Sequence, residues 1–275
     1  IGVRQFLCRL LATGLEGKAA LEVPHSKVRC ANGRKITLNC SDLREDVCRV
    51  NREIVAAGLV VLTWGNASGV DPDRRVMAIK PSGVDYEALR PEDMVLLSLE
   101  TGEVVEGDLR PSSDTPTHLH LYRSFPGVGG IVHTHSIHAT AWAQAGRPLP
   151  CLGTTHADHF YGEVPVARPL APDEIEEDYE LNTGVSIVDR FEEAGLDPQQ
   201  VPGVLVPGHA PFAWGSSPAK ALEQAVALEA SARMAILSFQ IEPGTQPLPQ
   251  TLLDKHFLRK HGPGAYYGQQ GEEKI

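Results

Sequence analysis

His133 and His135 stand two residues apart at the end of a short apolar run, Gly129-Gly-Ile-Val-His-Thr-His. A strand turns successive side chains to opposite faces, so both imidazoles point the same way. Neutral imidazole nitrogens bind a divalent cation at about 2.0–2.1 Å. Two ligands do not make a site. His209, which follows the Pro207-Gly208 turn, and Asp114, beside Ser112-Ser113, complete a set of three nitrogens and one oxygen. A divalent ion held by three neutral imidazoles and one carboxylate keeps a net positive charge, which suits it to stabilising an oxyanion. His118, His120, His138, His156 and His159 read as surface groups or as supports behind the ligands.

Three polar loops share a second character. Gly65-Asn66, Lys80-Pro-Ser82-Gly83 and Ser112-Ser113 each border a strand end and offer hydroxyls, glycines or backbone N–H groups. Such groups cradle a phosphate, because glycine lets the backbone approach and the amides aim at the anion. Lys80 would add charge, and the helix opening at Thr115-Pro116 would add its positive end. Together they point to a small phosphorylated substrate.

The elements that must carry these residues follow from periodicity. Leu43, Val47, Val50 and Ile54 recur at helical spacing, with Asp42 and Glu45 as a capping box and Gly58 as the stop. Strands are expected at 60–64, 76–79 and 94–99, the last paired with 103–106 across Thr101-Gly102. A helix follows Thr115, with Leu119, Tyr122 and Phe125 as its apolar stripe. The His-x-His strand leads into a helix through Trp142, and 151–161 reads as irregular. Residues 173–194 read as a helix interrupted at Gly184, 204–206 and 212–214 as strands. Ser217-Pro218 opens a long helix, and a Pro-rich bend at 243–249 precedes a basic, polar tail. Strands mixed with helices, and no G-x-G-x-x-G, imply a layered α/β domain rather than a Rossmann fold.

Composition sets the outer limits. The chain has 275 residues, 42% of them apolar, which allows one large core. Its formal charge of -10 argues against nucleic acid as a partner, and no apolar run is long enough to span a bilayer. Five irregularly spaced cysteines without a Cys-x-x-Cys pair fit a reducing, cytoplasmic setting. Residues 1–40 are basic and read as an appended, poorly ordered segment; residues 41–275 read as a single catalytic domain.

The ordered motifs Leu62-Thr-Trp-Gly-Asn66, Lys80-Pro-Ser-Gly-Val-Asp85, Pro111-Ser-Ser-Asp-Thr-Pro-Thr-His118, Gly130-Ile-Val-His-Thr-His135, Gly153-Thr-Thr-His-Ala-Asp158 and Pro211-Phe-Ala-Trp-Gly215 resemble the L-ribulose-5-phosphate 4-epimerases. These are the pentose-epimerising branch of the class II sugar-phosphate aldolases. Leu252-Leu-Asp-Lys-His256 and Ala265-Tyr-Tyr-Gly-Gln269 match that branch as well, so the resemblance covers roughly residues 42–269. It implies a three-layer α/β/α fold around a mixed, largely antiparallel sheet, and a homotetramer with active sites between subunits. It also implies one zinc ion per subunit on Asp114, His133, His135 and His209, a set that would also accept manganese, cobalt or nickel. Gly65, Asn66, Ser82, Gly83, Ser112 and Ser113 would hold phosphate. Asp158 and Tyr267 would be the acid/base pair, delivered from a neighbouring subunit, with His256 and Arg259 nearby. Related aldolases carry Glu where this chain has Asp114 and lack the Asp158 and Tyr267 motifs, which favours epimerisation over aldol release. A non-catalytic zinc-binding homologue would lack a ligand or Asp158, and neither is missing. A zinc hydrolase would be expected to show His-Glu-x-x-His, which is absent.

Overall fold

The structure, a computed structural model, describes residues 40–266 together with two strands before them. Those strands, β1 (Ser26–Arg29) and β2 (Lys35–Leu38), form an antiparallel ribbon where the sequence suggested no element. Helix α1 (Ser41–Ala56) matches the expected helix and buries Val47, Val50 and Ile54. Its N-cap is Cys40, without a side-chain cap, and Ser41 Oγ donates to Glu45 at 3.1 Å, so no Asp42–Glu45 box forms.

The next element departs from expectation. Residues 60–64 form a turn, with Leu62 at a positive φ of 56° and 74% exposed. The strand is instead β3 (Gly65–Val70), whose sequence Gly-Asn-Ala-Ser-Gly-Val looks like a loop. Its small residues are a packing requirement. A Cβ on Gly69 would lie 2.6 Å from Pro218 Cγ and 3.1 Å from Val47 Cγ2. Two helices therefore press on this strand more closely than a larger side chain would permit.

Strands β4 (Val76–Ile79), β5 (Val95–Ser98) and β6 (Val104–Glu106) fall where the apolar runs placed them. Helix α2 (Thr115–Ser124) starts one residue early, with Asp114 rather than Thr115 as its N-cap. Then come β7 (Gly130–Thr134), α3 (Ile137–Gln144) and a short α4 (Thr154–Ala157) inside the stretch expected to be irregular. Helix α5 (Pro172–Ala194) is kinked at Asp178, where φ is -134° and ψ 66°, and not at Gly184. Gly184 serves close packing: a Cβ there would meet His120 Cβ at 3.0 Å and Thr117 Cα at 3.3 Å on α2. Strands β8 (Gly203–Leu205) and β9 (Pro211–Gly215) lead into α6 (Pro218–Ile241), capped by Ser217 Oγ. The expected polar tail contains a further helix, α7 (Gln250–His261).

Seven strands form one sheet in the order β6-β5-β4-β3-β7-β9-β8, and every pairing in it is antiparallel. Among the described residues the one parallel link is an isolated bridge between Val166 and Leu205. Alternate residues feed two cores. Ile131, Phe212 and Trp214 pack with Leu121, Tyr122, Ile187 and Phe191 from α2 and α5. Ala67, Val132 and Ala213 pack with Val47, Val50, Ile54, Ala221 and Ala225 from α1 and α6. The sheet is thus sandwiched between helical layers, the three-layer arrangement expected.

Gly130 lies where β7 passes under the start of α6. A Cβ there would stand 2.4 Å from Pro218 N and 2.4 Å from Ser217 C, both backbone atoms that cannot swing aside. Gly130→Ala should therefore destabilise the protein by about 1–3 kcal/mol. The check is a lower urea midpoint at unchanged slope.

Candidate active site

The register of three central strands builds one end of the site. Asn66 on β3 pairs with His133 on β7, which pairs with Phe212 on β9. These three side chains form one row across the sheet, and His133 stacks on Phe212 with centroids 4.2 Å apart. His135 follows β7 on the same face. His209 is brought in by the β8–β9 turn, where Gly208 takes a φ of +69° and His209 N donates to Val206 O at 3.1 Å. His209 thereby joins His133 and His135 on one side of the sheet end.

The three rings make a nearly equilateral triangle, with centroid separations of 5.1, 4.9 and 5.0 Å. One ligand nitrogen from each lies within 4.8 Å of the others. His133 Nδ1 is 3.0 Å from Pro211 O, so it carries the proton and turns an unprotonated Nε2 towards the other two rings. His209 Nδ1 is buried without a hydrogen-bond partner among the described residues. Burial, with His133 and His135 adding to it against Asp114, pushes His209 down to about 3. Burial likewise lowers His135. Converging neutral imidazoles, one with an orphaned nitrogen, are what a divalent cation requires.

Asp114 lines the same cleft but stands outside the histidine cluster. Its Oδ2 accepts from Asn66 Nδ2 at 2.6 Å. Burial pushes this carboxyl up, but the imidazoles of His133 and His118 and the Asn66 hydrogen bond outweigh it and hold it below the usual range. It is thus an ionised oxygen donor at the N-cap of α2, in the same cleft as the triangle.

The cleft encloses about 640 Å³. Gly65, Asn66, Lys80, Ser82, Gly83, Ser112 and Ser113 all line it, as the sequence suggested. Their hydrogen bonds differ from expectation. Ser82 N donates to Arg110 O at 2.9 Å and Ser112 N to Lys80 O at 3.0 Å, so these two amides tie the loops together rather than face an anion. Lys80 Nζ donates to Val84 O at 2.6 Å and Pro81 O at 3.2 Å and sits 4.7 Å from the Tyr86 ring centre. Burial pushes Lys80 down to about 8, against the pull of Asp85. The lysine closes its loop and keeps one of its N–H groups for the cleft.

Tyr179 and Glu180 were not visible in the sequence as cleft residues. The kink at Asp178 turns Tyr179 and Glu180 into the cleft, with Tyr179 6.1 Å from the His209 ring. Thr117 Oγ1 donates to Glu180 O and anchors the kink to α2. No local pattern marks these positions; only the unusual backbone at Asp178 exposes them.

Asp158, His256 and Arg259 come together elsewhere. Asp158 caps α4 and accepts from Arg259 Nη2 at 2.8 Å, with His256 Nδ1 at 3.0 Å and Lys260 Nζ at 3.7 Å. Burial would raise its carboxyl, but the hydrogen bonds from Arg259 and His256 overcome this and lower it. None of the three lines the histidine cleft of their own chain. Tyr267 lies outside the described residues.

An all-antiparallel sheet between helices carries three convergent histidines beside a polar cleft, a candidate metal centre at one end of the sheet. Residues 45–236 match the Class II Aldolase and Adducin N-terminal domain family, and the chain belongs to that family. It is 50% identical over 228 residues to the L-ribulose-5-phosphate 4-epimerase UlaF of Salmonella paratyphi A, covering 83% of this chain and 99% of the relative. The UlaF of Salmonella typhi shows the same identity and coverage. Among solved structures, an L-fuculose 1-phosphate aldolase superposes with a TM-score of 0.67 at 24% identity, covering 78% of this chain and 94% of its own. No helix among the described residues is long and apolar enough to cross a membrane.

The buried neutral imidazoles have a consequence for stability. His209 and His118 are pushed to about 3 and His156 to about 4, mainly by burial, from an ordinary 6.5. Folding therefore excludes protons that the unfolded chain binds below pH 6.5. Stability of the metal-free protein should rise with pH up to that value and then level off. Between pH 5 and 7 carboxylates are largely ionised in both states, so the histidines dominate there. Urea unfolding of chelator-treated protein at both pH values checks this; equal midpoints would contradict it.

Proposed function

We propose that this chain interconverts L-ribulose 5-phosphate and D-xylulose 5-phosphate by inverting C4, as a cytoplasmic homotetramer with active sites between subunits. The observation that carries the reading is the histidine triangle of His133, His135 and His209 beside a cleft lined by Ser82, Gly83, Ser112 and Ser113. The 50% identity to UlaF epimerases supports it. The free, buried thiols of Cys40, Cys48 and Cys151 support a reducing compartment. Residues 41–275 would form the single catalytic domain, with 1–40 appended.

The chemistry explains the parts. The hydrogen at C4 is not acidic, because the carbonyl is at C2. Breaking C3–C4 is feasible, because the C2 carbonyl accepts the electron pair. His133, His135 and His209 with Asp114 would hold a divalent cation, zinc or in its place manganese, cobalt or nickel. When bound, the cation supplies Lewis-acid stabilisation of the negative charge that develops as C3–C4 breaks. One protein group takes the C4 hydroxyl proton as that oxygen becomes an aldehyde. The glycolaldehyde phosphate turns over, C3 attacks its other face, and a group on that side returns the proton. Asp158 and Tyr267, from a neighbouring subunit, would be the two groups. Arg259 and His256 keep Asp158 ionised and so able to accept a proton. Ser82, Gly83, Ser112, Ser113, Asn66 and Lys80 would retain the phosphate through the turn.

The test uses purified protein stripped of metal and reloaded with zinc. Zinc-dependent D-xylulose 5-phosphate with little free glycolaldehyde phosphate is expected. Aldehyde without epimer would make the chain an aldolase, and no turnover with metal bound would refute the reading. In the same assay Asp158→Asn should keep its zinc and lose about 10²–10⁴-fold in kcat.

A further inference from the structure

We propose that His118 is a positioning residue for the metal centre, its Nε2–H donating to the Asp114 carboxylate when a cation is held there. The inference rests on the metal centre proposed above and adds a residue that supports it from behind. His118 lies one turn after Asp114 on α2, and its N–H donates to Asp114 O at 3.1 Å. Its side chain is fully buried, edge-on to Phe212 with centroids 5.9 Å apart. Phe212 also carries the stacked His133 ring, so His118 sits directly beneath the row of site residues.

A chain of hydroxyls sets its tautomer. His118 Nδ1 is 2.7 Å from Ser68 Oγ, and Ser68 Oγ is 2.8 Å from Tyr122 Oη. Burial opposes ionisation of the Tyr122 phenol, so its oxygen keeps a proton that it can donate to Ser68. Tyr122 then donates to Ser68, and Ser68 donates to His118 Nδ1. The ring proton is left on Nε2. That Nε2 is buried and has no partner among the described residues.

A buried N–H donor without an acceptor is costly and rare. We assign the missing acceptor to the Asp114 carboxylate, one turn back on α2, whose Oδ2 already accepts from Asn66 Nδ2 at 2.6 Å. Asn66 and His118 would then grip the carboxylate from two directions and aim it at the triangle. Ligating groups gain affinity from such supports behind them.

The experiment measures zinc affinity by competition with a chromophoric chelator, without substrate, and the visible spectrum of the cobalt-loaded protein. His118→Asn keeps a polar group facing Ser68 but removes the far N–H; His118→Gln restores an N–H near the Nε2 position. His118→Asn should weaken zinc about 10–100-fold and alter the cobalt spectrum, and His118→Gln should recover most of the affinity. In an Asp114→Asn background His118→Asn should have no further effect, because the two residues act through one contact. Parental affinity in His118→Asn, or an equal loss in both backgrounds, would overturn the inference while leaving the epimerase reading standing. If His118→Asn does not fold, Ser68→Ala frees the tautomer and should weaken zinc less; parental affinity there would overturn the inference too. A parent protein that binds no metal would remove the metal centre and this inference together.

Discussion

The pairing register of β3, β7 and β9 is the constraint on which the site depends. Asn66, His133 and Phe212 occupy one row, and Ser68, Ile131 and Trp214 the next row on the same face. A slip of one residue in β7 would turn His133 into the α1–α6 core and put Val132 in the cleft. The register is held because each face is buried against its own helices. Ile131 belongs to one core and Val132 to the other, and both are at most 1% exposed. Small residues reinforce it, since β3 and β7 must pass under α6 at distances that exclude a Cβ at Gly69 and Gly130.

From that register the electrostatics follow. The site row sits at a buried sheet end, so desolvation keeps His135 and His209 neutral, with nitrogen lone pairs available. The same burial works against the Asp114 charge, yet Asn66 in the neighbouring row position donates to its carboxylate, which stays below the usual range. One piece of geometry thus produces neutral nitrogen donors and an ionised oxygen donor together. The charged lysine of the cleft shows the opposite solution. Lys80 is buried, so its ammonium is satisfied by the carbonyls of Pro81 and Val84, which shapes the loop facing the substrate.

Much of this was legible in the residues, and the exceptions have physical causes. β4, β5, β7 and β9 carry β-branched or large apolar residues, and α1 carries an apolar stripe, so pattern alone places them. β3 failed the pattern because close helix packing demands Gly, Ala and Ser, which are also the residues of turns. Val60-Val61-Leu62 had the composition of a strand, but Leu62 sits at a positive φ and the chain turns there. The histidine triangle was legible because His-x-His fixes a shared face and His209 follows a turn. Tyr179 and Glu180 were not, because a kink at Asp178, stabilised by Thr117 across two helices, is a tertiary event. The amide bridge between the 80–83 and 110–112 loops was hidden for the same reason.

The separation of Asp158 from the cleft bears on assembly. Asp158 is locked by Arg259 and His256 between α4 and α7, and Tyr161 Oη donates to Asp254 on the same helix at 2.6 Å. These contacts join α4 and α7 in one patch, which does not reach the histidine triangle of its own chain. Reaching that cleft would cost Asp158 its contacts with Arg259, His256 and Lys260. For Asp158 to serve the C4 hydroxyl, a second copy must dock this patch against the cleft. The ion pairs then have a purpose beyond stability: they present an ionised carboxylate on a fixed surface. Epimerisation needs proton-transfer groups on opposite faces of a turning fragment, and a cleft whose floor is a sheet leaves one face open for another subunit to supply. Under the proposed function, the histidine cluster and the Asp158 cluster lie apart within one chain, and assembly would bring them to the same substrate.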